Sequence, residues 1–88
     1  MISQTVIISN KLGLHARASA KFVGKANEFS SKIEVKKGEK IVNGKSIMGI
    51  MMLAASKGTA LEIIADGNDE ARALEGIITL INQKFGEE

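Results

Sequence analysis

The spacing of the hydrophobic residues changes several times along this chain, and those changes are its strongest constraint on the fold. Apolar residues alternate with their neighbours in three segments, form a short run in a fourth, and recur at every third or fourth residue in three others. Alternation indicates strands with a buried face, and the longer spacing indicates amphipathic helices. The alternating segments are residues 2–9, 32–36 and 60–65, the short run is 41–42, and the helical segments are about 16–29, 47–53 and 69–85.

The order of these segments is strand, helix, strand, strand, helix, strand, helix. This order favours an antiparallel sheet with the helices gathered on one face. Lys37-Gly38-Glu39 suits a hairpin, and Gly67-Asn68-Asp69 suits a turn before the last helix. We therefore expect an α+β open-faced sandwich, in which a four-stranded antiparallel sheet carries three helices (βαββαβα), in a single domain over residues 1–88.

The first and last predicted helices have distinct apolar faces. In the first helix, the residues expected to face the core are Ala16, Ala20, Val23, Ala26 and Phe29, and those on the opposite face are Arg17, Lys21, Gly24, Lys25 and Glu28. In the last helix, the apolar stripe consists of Leu74, Ile77, Ile78, Ile81 and Phe85. Asp69 and Glu70 suit the positive end of that helix, and Lys84 suits its negative end.

The composition is that of a folded domain held together by packing alone. Hydrophobic residues make up 44% of the chain and charged residues 25%, and there is no cysteine for disulfides or thiolate metal sites. The N-terminus has neither a basic leader nor an apolar signal core, and no segment is apolar for long enough to span a membrane. We expect a cytoplasmic monomer with no membrane insertion, no metal and no cofactor.

The charge and the aromatic content count against nucleic acid as a partner. The net charge is only +2, positive and negative residues are interspersed, and the chain has neither Tyr nor Trp. Proteins that bind single strands usually stack bases on aromatic side chains beside a basic groove. We expect no nucleic-acid binding, although the order of elements alone is also compatible with a ferredoxin-like RNA-binding module.

The single histidine, His15, lies in a loop that leads directly into the first helix. Amides at a helix N-terminus lack intrahelical partners and carry partial positive charge, so they stabilise an anion on a nearby side chain. Arg17 adds a planar cationic donor for phosphate oxygens, and Gly13 allows backbone conformations that other residues rarely adopt. Neutral imidazole is a nucleophile near neutral pH. The spacing favours a phosphate-accepting histidine, but it also fits a surface histidine beside a solvated arginine.

Three segments resemble those of a known family. They are Asn10-Lys11-Leu12-Gly13-Leu14-His15-Ala16-Arg17, Lys45-Ser46-Ile47-Met48-Gly49 and Ala54-Ala55-Ser56-Lys57-Gly58. Together with the length and the order of elements, they resemble HPr, the family of histidine-containing phosphocarriers of the bacterial phosphoenolpyruvate-dependent sugar phosphotransferase system. The resemblance spans the whole chain.

The resemblance implies that His15 is phosphorylated at Nδ1, with phosphate that comes from phosphoenolpyruvate through enzyme I and passes to sugar-specific IIA domains. It also implies that Arg17 balances the phosphate charge, close to the amides of Ala16, Arg17 and Ala18. Family members usually carry proline where this chain has Ala18, but alanine is a strong helix former and should keep the geometry of the first turn. Such a protein is a covalent intermediate of a phosphotransferase system and not a stand-alone enzyme.

Ser46 has two candidate roles. A serine oxygen can accept a bond from a first-turn amide, so Ser46 suits the N-cap of the second predicted helix. The resemblance adds a regulatory role, because the matching serine is phosphorylated by HPr kinase/phosphorylase in many bacteria. A phosphate at a helix start would be accommodated there and would repel acidic partner surfaces.

The second predicted helix has more apolar residues than one buried stripe can use. Ile50 and Leu53 fall together and suit the core. The resemblance and the adaptability of methionine assign its remaining apolar positions, Ile47, Met48 and Met51, to partner contact together with Ala20 of the first helix. The alternative is that all of them belong to the core.

Two other functions remain open. A paralogue in the nitrogen-related branch of the phosphotransferase system would keep the histidine chemistry but act in regulation. Ile47-Met48-Gly49 after the serine is more similar to the sugar branch. A small RNA-binding module is the third hypothesis, and the missing strand aromatics count against it.

Overall fold

Four strands and three helices form in the predicted order in the computed structural model, which describes residues 1–87. The strands are β1 (Ile2–Ile7), β2 (Lys32–Lys37), β3 (Lys40–Asn43) and β4 (Ala60–Asp66). The helices are α1 (Ala16–Ala26), α2 (Ile47–Met52) and α3 (Glu70–Asn82), and a short turn follows at Lys84–Gly86.

The strands form one antiparallel sheet in the order β1-β4-β2-β3. The register places Val6 opposite Leu61 and Val35 opposite Ile63, and all four side chains are buried. Residues of the other sheet face are exposed or only partly buried, and α1 packs on α3, which packs on β1 and β4. The predicted open-faced sandwich is therefore confirmed.

The buried face of α1 differs in part from the prediction. Val23 and Ala26 are buried as expected, but Ala16 and Ala20 are exposed. The core side of the helix is instead occupied by Phe22, which is fully buried, together with Ala18 and Ser19. Phe22 buries far more apolar surface than an alanine methyl can, so its position decides which face packs. The prediction was wrong here because it gave alanines the same weight as larger residues.

Several element ends also differ from the prediction, most clearly after α3. The helix ends at Asn82, and Lys84 and Phe85 then adopt positive φ angles of 57° and 55°. This left-handed turn still buries the Phe85 side chain in the core, so the predicted stripe is complete although its last member is not helical. Elsewhere β1 ends at Ile7 and α1 at Ala26, two and three residues before the predicted ends.

Asp69 stabilises a connection between elements and not the helix that it precedes. It occupies the N-cap position of α3 but makes no side-chain cap bond. Its carboxylate accepts bonds from the Ser31 hydroxyl and from the amides of Ser30 and Ser31, at 2.5, 2.9 and 3.0 Å. The Ser31 hydroxyl, with the Ser30 amide next, lowers the pKa of Asp69 to about 2. Glu70 lies in the first turn of α3 as predicted.

No helix within residues 1–87 combines the length and apolar character that a membrane crossing needs.

Candidate functional site

His15 is the N-cap residue of α1, with an extended backbone (φ −75°, ψ 179°). The first bond of the helix runs from the Ser19 amide to the His15 carbonyl at 2.9 Å. The amides of Ala16, Arg17 and Ala18 precede this bond and therefore have no carbonyl partner within the helix. The His15 side chain makes no cap bond to them. The structure thus brings the histidine and all three predicted amides together at the positive end of one helix.

The loop before His15 is fixed by a close approach to the segment after α2. Gly13 has a φ of +67°, and the following Leu14 amide donates to the Ala55 carbonyl at 2.9 Å. The buried Asn10 side chain donates from Nδ2 to the Gly13 carbonyl at 2.8 Å. Two of the three segments on which the family resemblance is based are therefore in contact. The expectation that Gly13 adopts a conformation other residues avoid is confirmed.

The imidazole of His15 is partly exposed and is held by one of its two ring nitrogens. Its side chain is 29% exposed, and Nε2 lies 2.5 Å from Oε2 of Glu87. An ionised carboxylate can only accept a hydrogen bond, so the proton of this bond sits on Nε2. Within residues 1–87 no group bonds to Nδ1. The nitrogen with the available lone pair in the neutral ring is therefore Nδ1.

Glu87 was not predicted from the sequence. Its Oε1 accepts from Asn10 Nδ2 at 3.0 Å, so the two carboxylate oxygens engage two different side chains. Burial acts to raise the pKa of Glu87, but hydrogen bonds from Asn10 and His15 outweigh that effect and lower it. Glu87 is thus an anion at neutral pH. No sequence pattern indicates this contact, because Glu87 lies 72 positions after His15 in the chain.

An open cleft of about 830 Å³ lies in front of the histidine. Its lining includes three cationic side chains, Lys11, Arg17 and Lys21, and Arg17 is exposed. The remaining lining consists of Leu12, His15, Ala16, Gly86 and Glu87. The cleft is wide enough for a phosphoryl group and positively charged overall, as an anion site requires. Within residues 1–87 no cluster of histidine and acidic side chains could hold a metal ion.

Beside this cleft, α2 presents an apolar surface to solvent. Ser46 caps the helix as predicted and accepts from the Gly49 amide at 3.0 Å. Ile50 and Leu53 are buried, but Ile47, Met48 and Met51 are 43%, 71% and 39% exposed. The alternative that all of these residues are core is therefore wrong. We call Ile47, Met48, Met51 and the 60% exposed Met52 the α2 apolar surface.

Two exposed residues near the site extend this surface. Ala20 is exposed on α1, which packs against α2. Leu12, on the loop before His15, is 68% exposed and was not singled out from the sequence. A leucine between a lysine and a glycine gives no periodic pattern, so only its exposure identifies it. Leu12 lines the charged cleft, and Ala20 lies on the helix that begins at the histidine.

Comparison with known proteins assigns the chain to a family. The family model described as "PTS HPr component phosphorylation site" matches residues 2–83. The chain belongs to the HPr family. Members of this family are phosphocarriers of the phosphotransferase system, and the match covers both the histidine loop and Ser46.

Individual HPr proteins are similar to this chain over nearly their full length. The phosphocarrier protein HPr of Neisseria meningitidis serogroup A is 56% identical over 87 residues, covering 99% of this chain and 98% of the relative. The HPr of Pseudomonas aeruginosa is 51% identical over 83 residues, covering 93% and 92%. The crystal structure of HPr-C-His from Thermoanaerobacter tengcongensis superimposes with a TM-score of 0.96 at 51% identity, covering 100% and 99%.

Proposed function

We propose that His15 accepts a phosphoryl group at Nδ1 from phosphorylated enzyme I and passes it to sugar-specific IIA domains. One observation carries this proposal: among the residues that the structure describes nothing bonds to Nδ1, and this nitrogen belongs to the N-cap residue of α1, which lines the same cleft as Arg17. Phosphoenolpyruvate is the source of the phosphate. In this role the protein works in the cytoplasm as a monomeric covalent intermediate, with no cofactor.

The chemistry requires little of the carrier itself. The Nδ1 lone pair forms a bond to phosphorus while the bond between phosphorus and the donor atom of enzyme I breaks, and the electron pair of that bond returns to the donor atom. The transition state spreads negative charge over the phosphoryl oxygens. The amides of Ala16, Arg17 and Ala18 and the Arg17 guanidinium would stabilise that charge on the carrier side. The partner supplies the remaining groups, so a small domain with an open cleft suffices.

Incubation with labelled phosphoenolpyruvate and enzyme I tests this function. We expect acid-labile label on the protein, as a phosphohistidine requires, and its transfer to a IIA domain. Parallel incubation with the enzyme I of the sugar branch and that of the nitrogen-related branch distinguishes the two pathways. Faster labelling by the nitrogen-related enzyme would support the regulatory alternative instead.

The α2 apolar surface and Ala20 are proposed to contact these partners. We expect the substitution Met48→Glu to slow phosphorylation by enzyme I about tenfold or more, because a carboxylate would be desolvated at the contact. Stability should change by less than about 0.5 kcal/mol, since Met48 is 71% exposed. Phosphorylation rates and urea unfolding measure the two effects.

The control for Met48 is Ile41→Glu. Ile41 is 52% exposed and is paired with Lys36 on the sheet face that carries no helix. We expect this variant to be phosphorylated at the wild-type rate. An equal loss of stability and rate in Met48→Glu would assign Met48 to the core, and equal slowing in both variants would remove the special role of α2.

Ser46 is proposed as a second, regulatory phosphorylation site. Its side chain is partly exposed at the start of α2, next to the apolar surface proposed to bind partners. Phosphate there would add a charge of about −1.5 to −2 beside that surface with little change of fold. We expect ATP and an HPr kinase/phosphorylase to produce acid-stable phosphate that is absent from Ser46→Ala. No acid-stable label on the unaltered protein would reject this role.

A further inference from the structure

We propose that Glu87 is a positioning residue for phosphoryl transfer, which holds the proton on Nε2 of His15 and so presents Nδ1 as the nucleophile. The proposal rests on the function proposed for His15 and adds a residue that acts through it. Glu87 touches the far nitrogen of the ring and not the reacting one. A carboxylate that orients a histidine in this manner is a recurring arrangement in nucleophilic catalysis.

The carboxylate is held at both oxygens. Oε2 accepts from His15 Nε2 and Oε1 accepts from Asn10 Nδ2, at 2.5 and 3.0 Å. Asn10 is fully buried and also donates to the Gly13 carbonyl, so it joins Glu87 to the same loop that carries His15. The Glu87 side chain is only 12% exposed. Rotation of the imidazole would break the bond to Oε2, so this arrangement fixes the orientation of the ring.

The backbone that carries Glu87 is also anchored. The left-handed turn at Lys84–Gly86 leads the chain back toward α1, and the Phe85 side chain between them is 1% exposed. Lys21 of α1 donates from Nζ to the Phe85 carbonyl at 2.7 Å. These contacts hold Lys84 and Phe85 at positive φ angles, which residues other than glycine rarely adopt. The turn therefore brings the carboxylate to the histidine on a segment fixed at two points.

The charges around Glu87 suit this role. The side chains that face its carboxylate are Asn10, His15 and Lys21, and together they keep the carboxylate ionised despite burial. An anion beside an incoming phosphoryl group would repel it, but Glu87 bonds to the nitrogen away from the reaction. Lys11, Arg17 and Lys21 line the same cleft and offset its charge.

The hydrogen bond between His15 and the Glu87 carboxylate becomes stronger as the new bond to phosphorus forms. When the Nδ1 lone pair bonds to phosphorus, the ring becomes positively charged while its Nε2 proton stays in place. Glu87 then faces a cationic ring, so a hydrogen bond in which only the acceptor was charged becomes one between opposite charges and is strengthened. In the return step the N–P bond breaks and its electron pair stays on Nδ1, again without proton movement. Loss of Glu87 should therefore slow transfer in both directions.

The test compares Glu87→Ala and Glu87→Gln with the unaltered protein and with Glu75→Ala. Glu75 is an exposed carboxylate on α3 that does not line the cleft, so it controls for loss of one charge. Proton and nitrogen NMR of the unphosphorylated protein detect the Nε2 proton and its exchange with water. Labelled phosphoenolpyruvate and enzyme I then give the rates of phosphorylation, and a IIA domain gives the rate of release.

We expect an observable, slowly exchanging Nε2 proton in the unaltered protein and in Glu75→Ala, and its loss in Glu87→Ala. Phosphorylation of Glu87→Ala should be about tenfold slower, as when a charge-assisted hydrogen bond is lost. Glu87→Gln keeps an acceptor without the charge and should give an intermediate rate. A Nε2 proton unchanged in Glu87→Ala, or phosphorylation as fast as in the unaltered protein, overturns the proposal.

The two readouts separate this proposal from the function on which it rests. Detection of the Nε2 proton needs no enzyme I, so it reports the contact between Glu87 and His15 alone. If neither the unaltered protein nor Glu75→Ala accepts label, the function proposed for His15 fails, and the role of Glu87 fails with it. If both accept label and the Glu87 variants accept it equally fast, the role of Glu87 alone is rejected.

Discussion

Replacement of His15 by alanine is expected to abolish transferable, acid-labile phosphate while leaving the fold intact. Without the imidazole, the nitrogen-bearing side chains that line the cleft are the cations Lys11, Arg17 and Lys21, which have no lone pair available for a bond to phosphorus. Stability should fall by less than about 1 kcal/mol. The reason is that the His15 side chain is 29% exposed and makes no cap bond to α1, and that within residues 1–87 its one side-chain hydrogen bond is to Glu87.

The measurement is labelling by phosphoenolpyruvate and enzyme I, followed by transfer to a IIA domain and by thermal unfolding of the same samples. Glu75→Ala serves as the control, because it removes an exposed side chain of α3 and should be labelled normally. Label that His15→Ala accepts and passes on would contradict the assignment of the phosphorylated residue. A variant that fails to fold would show that His15 has a structural role as well.

The fold could be predicted because it depends on the spacing of hydrophobic residues within each segment, which is a local property of the sequence. Strand β4 shows this most clearly, since Leu61, Ile63 and Ala65 alternate with less buried residues and all three lie in the core. The N-cap role of Ser46 is equally local, because the bond from the Gly49 amide spans three residues. A structural feature that depends on one residue and its nearest neighbours in the chain could thus be predicted from the sequence.

Half of the histidine site could be predicted in the same way. His15, Arg17 and the first-turn amides are neighbours in the chain, so their convergence at a helix start follows from local geometry. Glu87 and its support by Asn10 could not be predicted, because 77 residues separate them and a left-handed turn of non-glycine residues brings them together. Residues rarely adopt such angles, and no sequence pattern at Lys84 and Phe85 indicates them.

The buried face of α1 was predicted only in part, because it too depends on contacts with other elements. Ala16 and Ala20 have the correct helical spacing for a buried face, yet the helix turns Phe22 and Ala18 toward the core. Helical spacing fixes which residues share a face, but the partners of a helix decide which face is buried. Ala20, one of the residues proposed for partner contact, is exposed as a result.

Gly13 lies where the loop before His15 meets the backbone of the segment after α2. It combines a φ of +67° with a close approach to the backbone after α2, where a Cβ would lie 2.5 Å from the Ala55 carbonyl oxygen and 2.9 Å from Ser56 Cα. Both obstacles are backbone atoms, which cannot move aside as the end of a flexible side chain can. The neighbouring bond from the Leu14 amide to the Ala55 carbonyl depends on this approach.

Gly13→Ala is therefore expected to cost about 2 to 4 kcal/mol of stability, from the left-handed conformation and from the displaced backbone together. Gly38→Ala is the matched control, because Gly38 has a similar φ of +60° but a Cβ there would meet nothing within 4 Å. That variant should lose only about 1 kcal/mol. Urea unfolding measures the stability that each variant loses, and the difference between the two losses is the cost of the close approach at Gly13. Equal losses would contradict that cost. Gly13→Ala should also slow phosphorylation of His15, because a loop pushed away from Ala55 carries the imidazole with it, whereas Gly38→Ala should not.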